Sequence, residues 1–288
     1  MNNMKNIIHK LGKPLIFSTF AFSFYFLNSH KFKGAIFNNK IIHCLRTQER
    51  YLTPDGKTPE FFEELDINQL EKKYPNLVVV KSKAVDYLIG MLRDKTISTS
   101  QFRKYSNRII RLIIEETLAF EANQDTIKES PMGFYKTKHN PLKDSDYCVL
   151  SILRSGNSMV EQFLEIIPGI YVGVVLVQRN ENSEDKRPIF FFEKLPKNVA
   201  DKKVFLLDPL LATGGSASAT IEVLKSKGVK EENIFFLNMI SCEEGIQQMF
   251  LKYPQIKILT AKVDKYLLPN KYIAPGIGDF GDRFYGTD

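Results

Sequence analysis

The sequence predicts an α/β domain with a mostly parallel sheet flanked by helices. Three observations carry that prediction. Downstream of Gly133, short apolar runs alternate with helical stretches. One of those runs ends in an acid and a glycine turn that opens a helix. Upstream, Gln101 to Ala122 carries Phe102, Tyr105, Ile109, Leu112, Ile113 and Leu118 on a helical period. Sheets of this kind hold ligands at the carboxyl ends of their strands.

The 288 residues are 43% hydrophobic and 25% charged, which excludes collagen-like, coiled-coil and wholly disordered classes. Residues 1–76 read as an N-terminal extension. A basic opening (Lys5, Lys10, Lys13) precedes the apolar run Leu15 to Leu27, which is short for a bilayer span. Lys31, Lys33, Lys40 and Arg46 follow. Residues 1–27 are therefore signal-like and the next stretch is basic and transit-like. The expected destination is an organelle, of plastid type, with a cytoplasmic enzyme as the alternative. Residues 51–76, broken by Thr53-Pro54-Asp55-Gly56 and Tyr74-Pro75, read as a linker with a short helix near Glu60 to Lys72.

The net charge of +7 resides in that leader. Residues 1–48 hold seven of the 40 Lys and Arg and no acid, so the remainder carries 33 charges of each sign. A neutral body lacks the basic footprint of a nucleic-acid binder, and no nucleic-acid partner is expected. Cys44, Cys148 and Cys242 form no CxxC pair, which argues against a disulfide framework or zinc ribbon. His139 is the body's single histidine, in a turn-like stretch beside Asn140-Pro141. It is expected to be a solvated loop residue.

Residues 77–288 read as one domain without internal repeats. After the loop Ser130 to Gly133, the expected strands are Cys148 to Leu153, Tyr171 to Val177, Val204 to Leu207, Ile234 to Ile240 and Ile256 to Ala261. Helices are expected at Ser158 to Ile166, Ser216 to Lys227 and Glu243 to Tyr253. Arg154 follows a strand beside Ser155-Gly156. A guanidinium there can grip phosphate oxygens bidentately. Arg179 ends the next apolar run, and a polar stretch to Arg187 precedes Pro188-Ile-Phe-Phe-Phe192, the pattern of a flexible hairpin.

The most informative stretch is Asp208-Pro209-Leu210-Leu211-Ala212-Thr213-Gly214-Gly215-Ser216. Glycines admit an anion close to the backbone, and amide groups at a helix start can cradle a phosphate with the Thr213 and Ser216 hydroxyls. The stretch lacks the lysine of a Walker A loop and the GxGxxG spacing of a dinucleotide fold.

This loop resembles the 5-phosphoribosyl-1-pyrophosphate (PRPP) site of uracil phosphoribosyltransferases, which carry Asp-Pro where other phosphoribosyltransferases have two acids. The resemblance spans roughly Leu77 to Thr287. It includes Tyr105-Ser-Asn-Arg108, Ser151-Ile-Leu-Arg154-Ser-Gly, Gln178-Arg179, Lys194-Leu-Pro196 and the tail Tyr272-Ile-Ala-Pro-Gly-Ile-Gly278-Asp279-Phe280-Gly-Asp-Arg283-Phe-Tyr-Gly-Thr287. It implies a phosphoribosyltransferase-type fold with a hairpin hood, and formation of UMP and pyrophosphate from uracil and PRPP. The implied PRPP contacts are Arg154, Arg179, the loop Asp208 to Ser216, and Asp279. Of these, Arg154, Arg179, Asp208 and Asp279 would act on the reacting groups. Uracil would be read by backbone groups around Ile273, Gly278, Asp279 and Phe280. Mg²⁺ would arrive with PRPP rather than in a protein cage. Assembly into a dimer or tetramer, and GTP as an allosteric activator, are further implications. The chain departs from the family at Ser155, Asn157 and Asn180, the last two replacing acids. The alternative is therefore a catalytically weak or inactive regulator of phosphoribosyltransferase fold that binds UMP or RNA.

Overall fold

A parallel strand buried on both faces needs a mainly apolar run, and 234–242 supplies one, with every residue buried and only Asn238 and Ser241 polar. The computed structural model describes residues 62–179 and 188–287, with the backbone alone at 178, 179, 188 and 189. Phe62–Asp288 forms one compact unit. In chain order its elements are α1 (Ile67–Lys73), β1 (Leu77–Val79), α2 (Lys83–Arg93), α3 (Thr99–Glu121), β2 (Gln124–Ser130), β3 (Gly133–His139), β4 (Tyr147–Leu153) and α4 (Val160–Ile166). Then come β5 (Tyr171–Arg179), β6 (Pro188–Lys194), β7 (Lys203–Leu207), β8 (Leu210–Leu211), α5 (Gly215–Ser226), β9 (Ile234–Cys242), α6 (Glu243–Lys252), β10 (Lys257–Asp264), β11 (Tyr266–Leu267), β12 (Ile273–Ala274) and α7 (Phe280–Tyr285).

The main sheet runs β1-β10-β9-β7-β4-β5-β6, with β8 added alongside β9. Its pairings are parallel except β5 with β6, which is antiparallel and carries a register shift between Leu176 and Val177. This is the expected mostly parallel sheet. Alternate residues of each strand feed two cores. On one face Val149, Phe205, Phe235 and Leu259 meet the α2 and α3 residues Leu88, Ile109 and Ile113. On the other, Leu150, Leu206, Phe236 and Ile258 meet Ile221 of α5 and Ile246 of α6. Each such fully buried side chain stabilises the fold by roughly 1.5–3 kcal/mol relative to exposure. The chain of strands reverses direction across the sheet between β4 and β7. From β4 it proceeds to β5 and β6, and from β7 to β9 and β10. That reversal opens a crevice at the carboxyl ends of β4 and β7, directly before Arg154 and Asp208.

Helix α3 starts at a capping box, with Ser98 and Gln101 each bonding the other's backbone. Three expectations are corrected. The short helix near Glu60 to Lys72 begins only at Ile67, because the Asp66 carboxylate accepts from Asn68 N at 3.0 Å and Gln69 N at 3.3 Å and so fixes the start there. Glu60 lies outside the described residues. The turn at 131–132 joins β2 and β3 into an antiparallel hairpin. His139, expected in a turn, is the last residue of β3 opposite Gln124, and it is exposed.

Candidate active site

Three segments distant in sequence meet at the crevice. The first is the turn after β4. Its Leu153-Arg154 peptide is cis, and the Arg154 side chain is half-exposed. The Arg154 guanidinium donates through Nη2 to Asp282 Oδ1 and through Nη1 to Thr287 Oγ1, each at 2.9 Å. Thr287 in turn donates to Asp282 at 2.9 Å. The guanidinium also lies 5.2 Å from the Tyr285 ring centre. Hydrogen bonds from Thr287 and then Arg154 hold the Asp282 carboxyl below the usual carboxylate range. An ion pair this accessible is weak in water, so a polyanion can displace Asp282 from the arginine. Helix α7 packs tightly here: a Cβ at Gly281 would stand 3.0 Å from Ser155 Oγ and 3.1 Å from Arg154 Nη2. Asn157 is exposed, and the nearby Tyr285 hydroxyl donates to the Arg154 carbonyl at 3.3 Å.

The second segment is the turn from β7 into α5. Asp208 N donates to Leu237 O at 3.3 Å, and Pro209 O accepts from Met239 N at 2.8 Å, so the backbone is fixed to β9. Helix α5 has Gly214 at its N-cap, at φ 75°, with no side-chain cap. Thr213 Oγ1 accepts only a long contact, 3.5 Å, from Gly215 N. An ordinary Ser/Thr helix cap is therefore not what this turn makes. The first-turn amides are instead left to whatever lies in the crevice, the arrangement suited to an anion.

The third segment is 270–280. Asp279 caps α7 by accepting from Asp282 N at 3.1 Å. Together the three segments line a cleft of about 740 Å³. Its walls include Arg154 and Ser155, then Asp208, Leu210, Ala212 and Ser216, and finally Ile273, Gly278, Asp279 and Phe280. Leu211 points into the core at 1% exposure and Pro209 is buried. Thr213, Gly214 and Gly215 build the helix start. Arg179 ends β5, but its side chain and residues 180–187 lie outside the described residues, as does the tip of the expected hood. Its two strands pair antiparallel as β5 and β6.

Sequence reasoning passed over Lys271, Ile277, Leu176 and Val177 in the lining, and Asp282 as the arginine's partner. The spacing Asp279-x-x-Asp282 signals a helix cap. It contains nothing that points to an arginine 128 residues earlier. Cys148 and Cys242 are buried, and burial pushes the Cys148 thiol up to about 12 and Cys242 in the same direction, so neither is a nucleophile.

A family model described as uracil phosphoribosyltransferase matches residues 79–287. The chain belongs to this family. It is 40% identical over 217 residues to the uracil phosphoribosyltransferase of Dictyostelium discoideum, covering 75% of this chain and 99% of that one. The Saccharomyces cerevisiae uracil phosphoribosyltransferase is 41% identical over 69% of this chain and 90% of its own length. A chloroplastic uridine/cytidine kinase of Arabidopsis thaliana is 36% identical over 84% of this chain, which spans only 49% of that longer protein. Among solved structures, an Aquifex aeolicus protein superposes with a TM-score of 0.63 at 25% identity, over 74% of this chain and 99% of that one. The uracil phosphoribosyltransferase family range takes in all three cleft segments, and its membership makes the chain a pentosyltransferase.

Proposed function

We propose that the cleft joins uracil to PRPP, forming UMP and pyrophosphate. The observation that carries this reading is the convergence of Arg154, the uncapped start of α5 and the 270–280 segment on one cleft at the sheet's reversal point. The 5-phosphate sits on the α5 amides with the Thr213 and Ser216 hydroxyls. Arg154 exchanges Asp282 for the diphosphate, and Arg179 approaches from the hood. Asp208 holds the ribose hydroxyls. Backbone groups around Ile273, Gly278 and Phe280 read the base, which rejects cytosine because its reversed donor and acceptor would leave buried groups unpaired.

In the reaction the C1–O bond breaks with its electron pair on pyrophosphate. Uracil N1 supplies the pair of the new C1–N bond and gives up its proton. The sugar carbon becomes oxocarbenium-like, so fixed cations and an anchored base suffice and no protein nucleophile is required. Mg²⁺ bound to PRPP would neutralise diphosphate charge. Asp208 and Asp279 fit it, since magnesium takes one or two carboxylates plus substrate phosphates. The same proposal extends to a dimer or tetramer, to activation by GTP and to an organelle-directing leader. Sizing, GTP titration and mass spectrometry of the native N-terminus check these.

The test is conversion of labelled uracil to UMP with PRPP and Mg²⁺. Turnover dependent on all three is expected. Nucleotide binding without turnover would replace the catalytic reading with a regulatory one.

A further inference from the structure

The segment that would read uracil does so through its backbone, so something must fix that backbone. Gly276 stands at φ 55°, and a Cβ there would fall 2.1 Å from Ile273 O. The turn is thus too tight for any side chain. Its amide donates to Asp264 Oδ2 at 2.9 Å, and its carbonyl accepts from Arg93 Nη1 at 3.4 Å. Arg93 and Asp264 also form a two-pronged pair, Nη2 to Oδ1 at 2.7 Å and Nη1 to Oδ2 at 3.0 Å. Asp264, the last residue of β10, is almost wholly buried, and Arg93, the last residue of α2, is largely so. One residue pair thereby holds both backbone polar groups of Gly276, in the middle of the stretch from Ile273 to Gly278.

A second arginine ties the other side of the turn to the same helix end. Arg283 Nη1 donates to Ile277 O at 2.7 Å and Leu92 O at 2.6 Å, while Nη2 donates to Asp94 O at 2.6 Å. Neither Arg93 nor Asp264 lines the cleft; both line a different cavity.

We infer that Arg93 and Asp264 are positioning residues for base recognition: they set where the Ile273–Gly278 backbone presents its groups to uracil. The inference rests on the uracil-and-PRPP reading above. It separates the two substrates, because the PRPP loop at Asp208–Ser216 has its own anchors on β9.

Asp264→Asn keeps the shape but cannot serve the arginine fork and the Gly276 amide together. Arg93→Lys keeps the charge but loses the fork. In steady-state kinetics of the full chain, Asp264→Asn is expected to raise KM for uracil about tenfold, the effect of one charge-assisted hydrogen bond, with KM for PRPP unchanged. Arg93→Lys should raise KM for uracil by a smaller factor, and it carries the test should the aspartate variant not fold. Unchanged KM for uracil in both variants overturns the inference. So does an equal loss on both substrates accompanied by a lower melting temperature, which marks a merely structural role. If the parent protein itself forms no UMP, the underlying reading fails and takes the inference with it.

Discussion

At the residue scale, Arg154 is the side chain whose chemistry is most exposed to test. It is solvent-accessible, and its partners Asp282 and Thr287 are surface groups. Removing it should leave the fold intact. Arg154→Ala is expected to lower kcat/KM for PRPP by about 10²–10³-fold, the usual loss of one preorganised charge stabiliser, with an unchanged melting temperature. An unaltered kcat/KM would remove Arg154 from the proposed diphosphate site. Its aspartate partner makes a pH prediction. Asp282 has its carboxyl lowered in the folded protein, so its ion pair is complete above the ordinary carboxylate pKa and is lost as pH falls through the lowered value. The activity ratio of parent to Asp282→Asn should therefore stay flat from about pH 8 to about pH 5.5. A ratio that changes across that interval would show that Asp282 titrates above the ordinary carboxylate range, against the lowered direction.

At the element scale, the start of α5 is the critical construction. Gly214 holds a left-handed conformation, and a Cβ there would meet Met249 Sδ at 2.8 Å. Gly214→Ala is expected to cost about 1–2 kcal/mol of stability through backbone strain and to raise KM for PRPP, read by denaturant unfolding and kinetics. Wild-type stability with wild-type KM would show that the turn tolerates another geometry. This element was legible in the sequence because a fully apolar run, an acid and a glycine pair are consecutive. The same holds for β4, β7 and β9, whose both-face burial leaves mainly apolar runs, with Ser151 the polar residue in β4 and Asn238 and Ser241 those in β9. Helix α2 was not foreseen, since eleven residues interrupted by Gly90 give a short pattern. Strands β2 and β3 escaped for a different reason. Neither face packs on a core, so residues such as Ile127 and Phe134 remain exposed and the sequence shows no alternation.

At the scale of the whole molecule, the site follows from topology. The strand order reverses between β4 and β7, so the turns after those strands face one crevice, and the 270–280 segment closes it. The chemistry-bearing residues at each turn could be picked out along the chain. Their mutual placement could not, because contacts such as Arg154 with Asp282 or Arg93 with Asp264 join residues 128 and 171 positions apart. The most direct measurement is a crystal structure of the protein soaked with PRPP and Mg²⁺. The phosphate should lie on the amides of residues 215–217 and the diphosphate against Arg154, with Asp282 released. Density for the donor elsewhere, or Arg154 still bound to Asp282 with PRPP in the cleft, would contradict it.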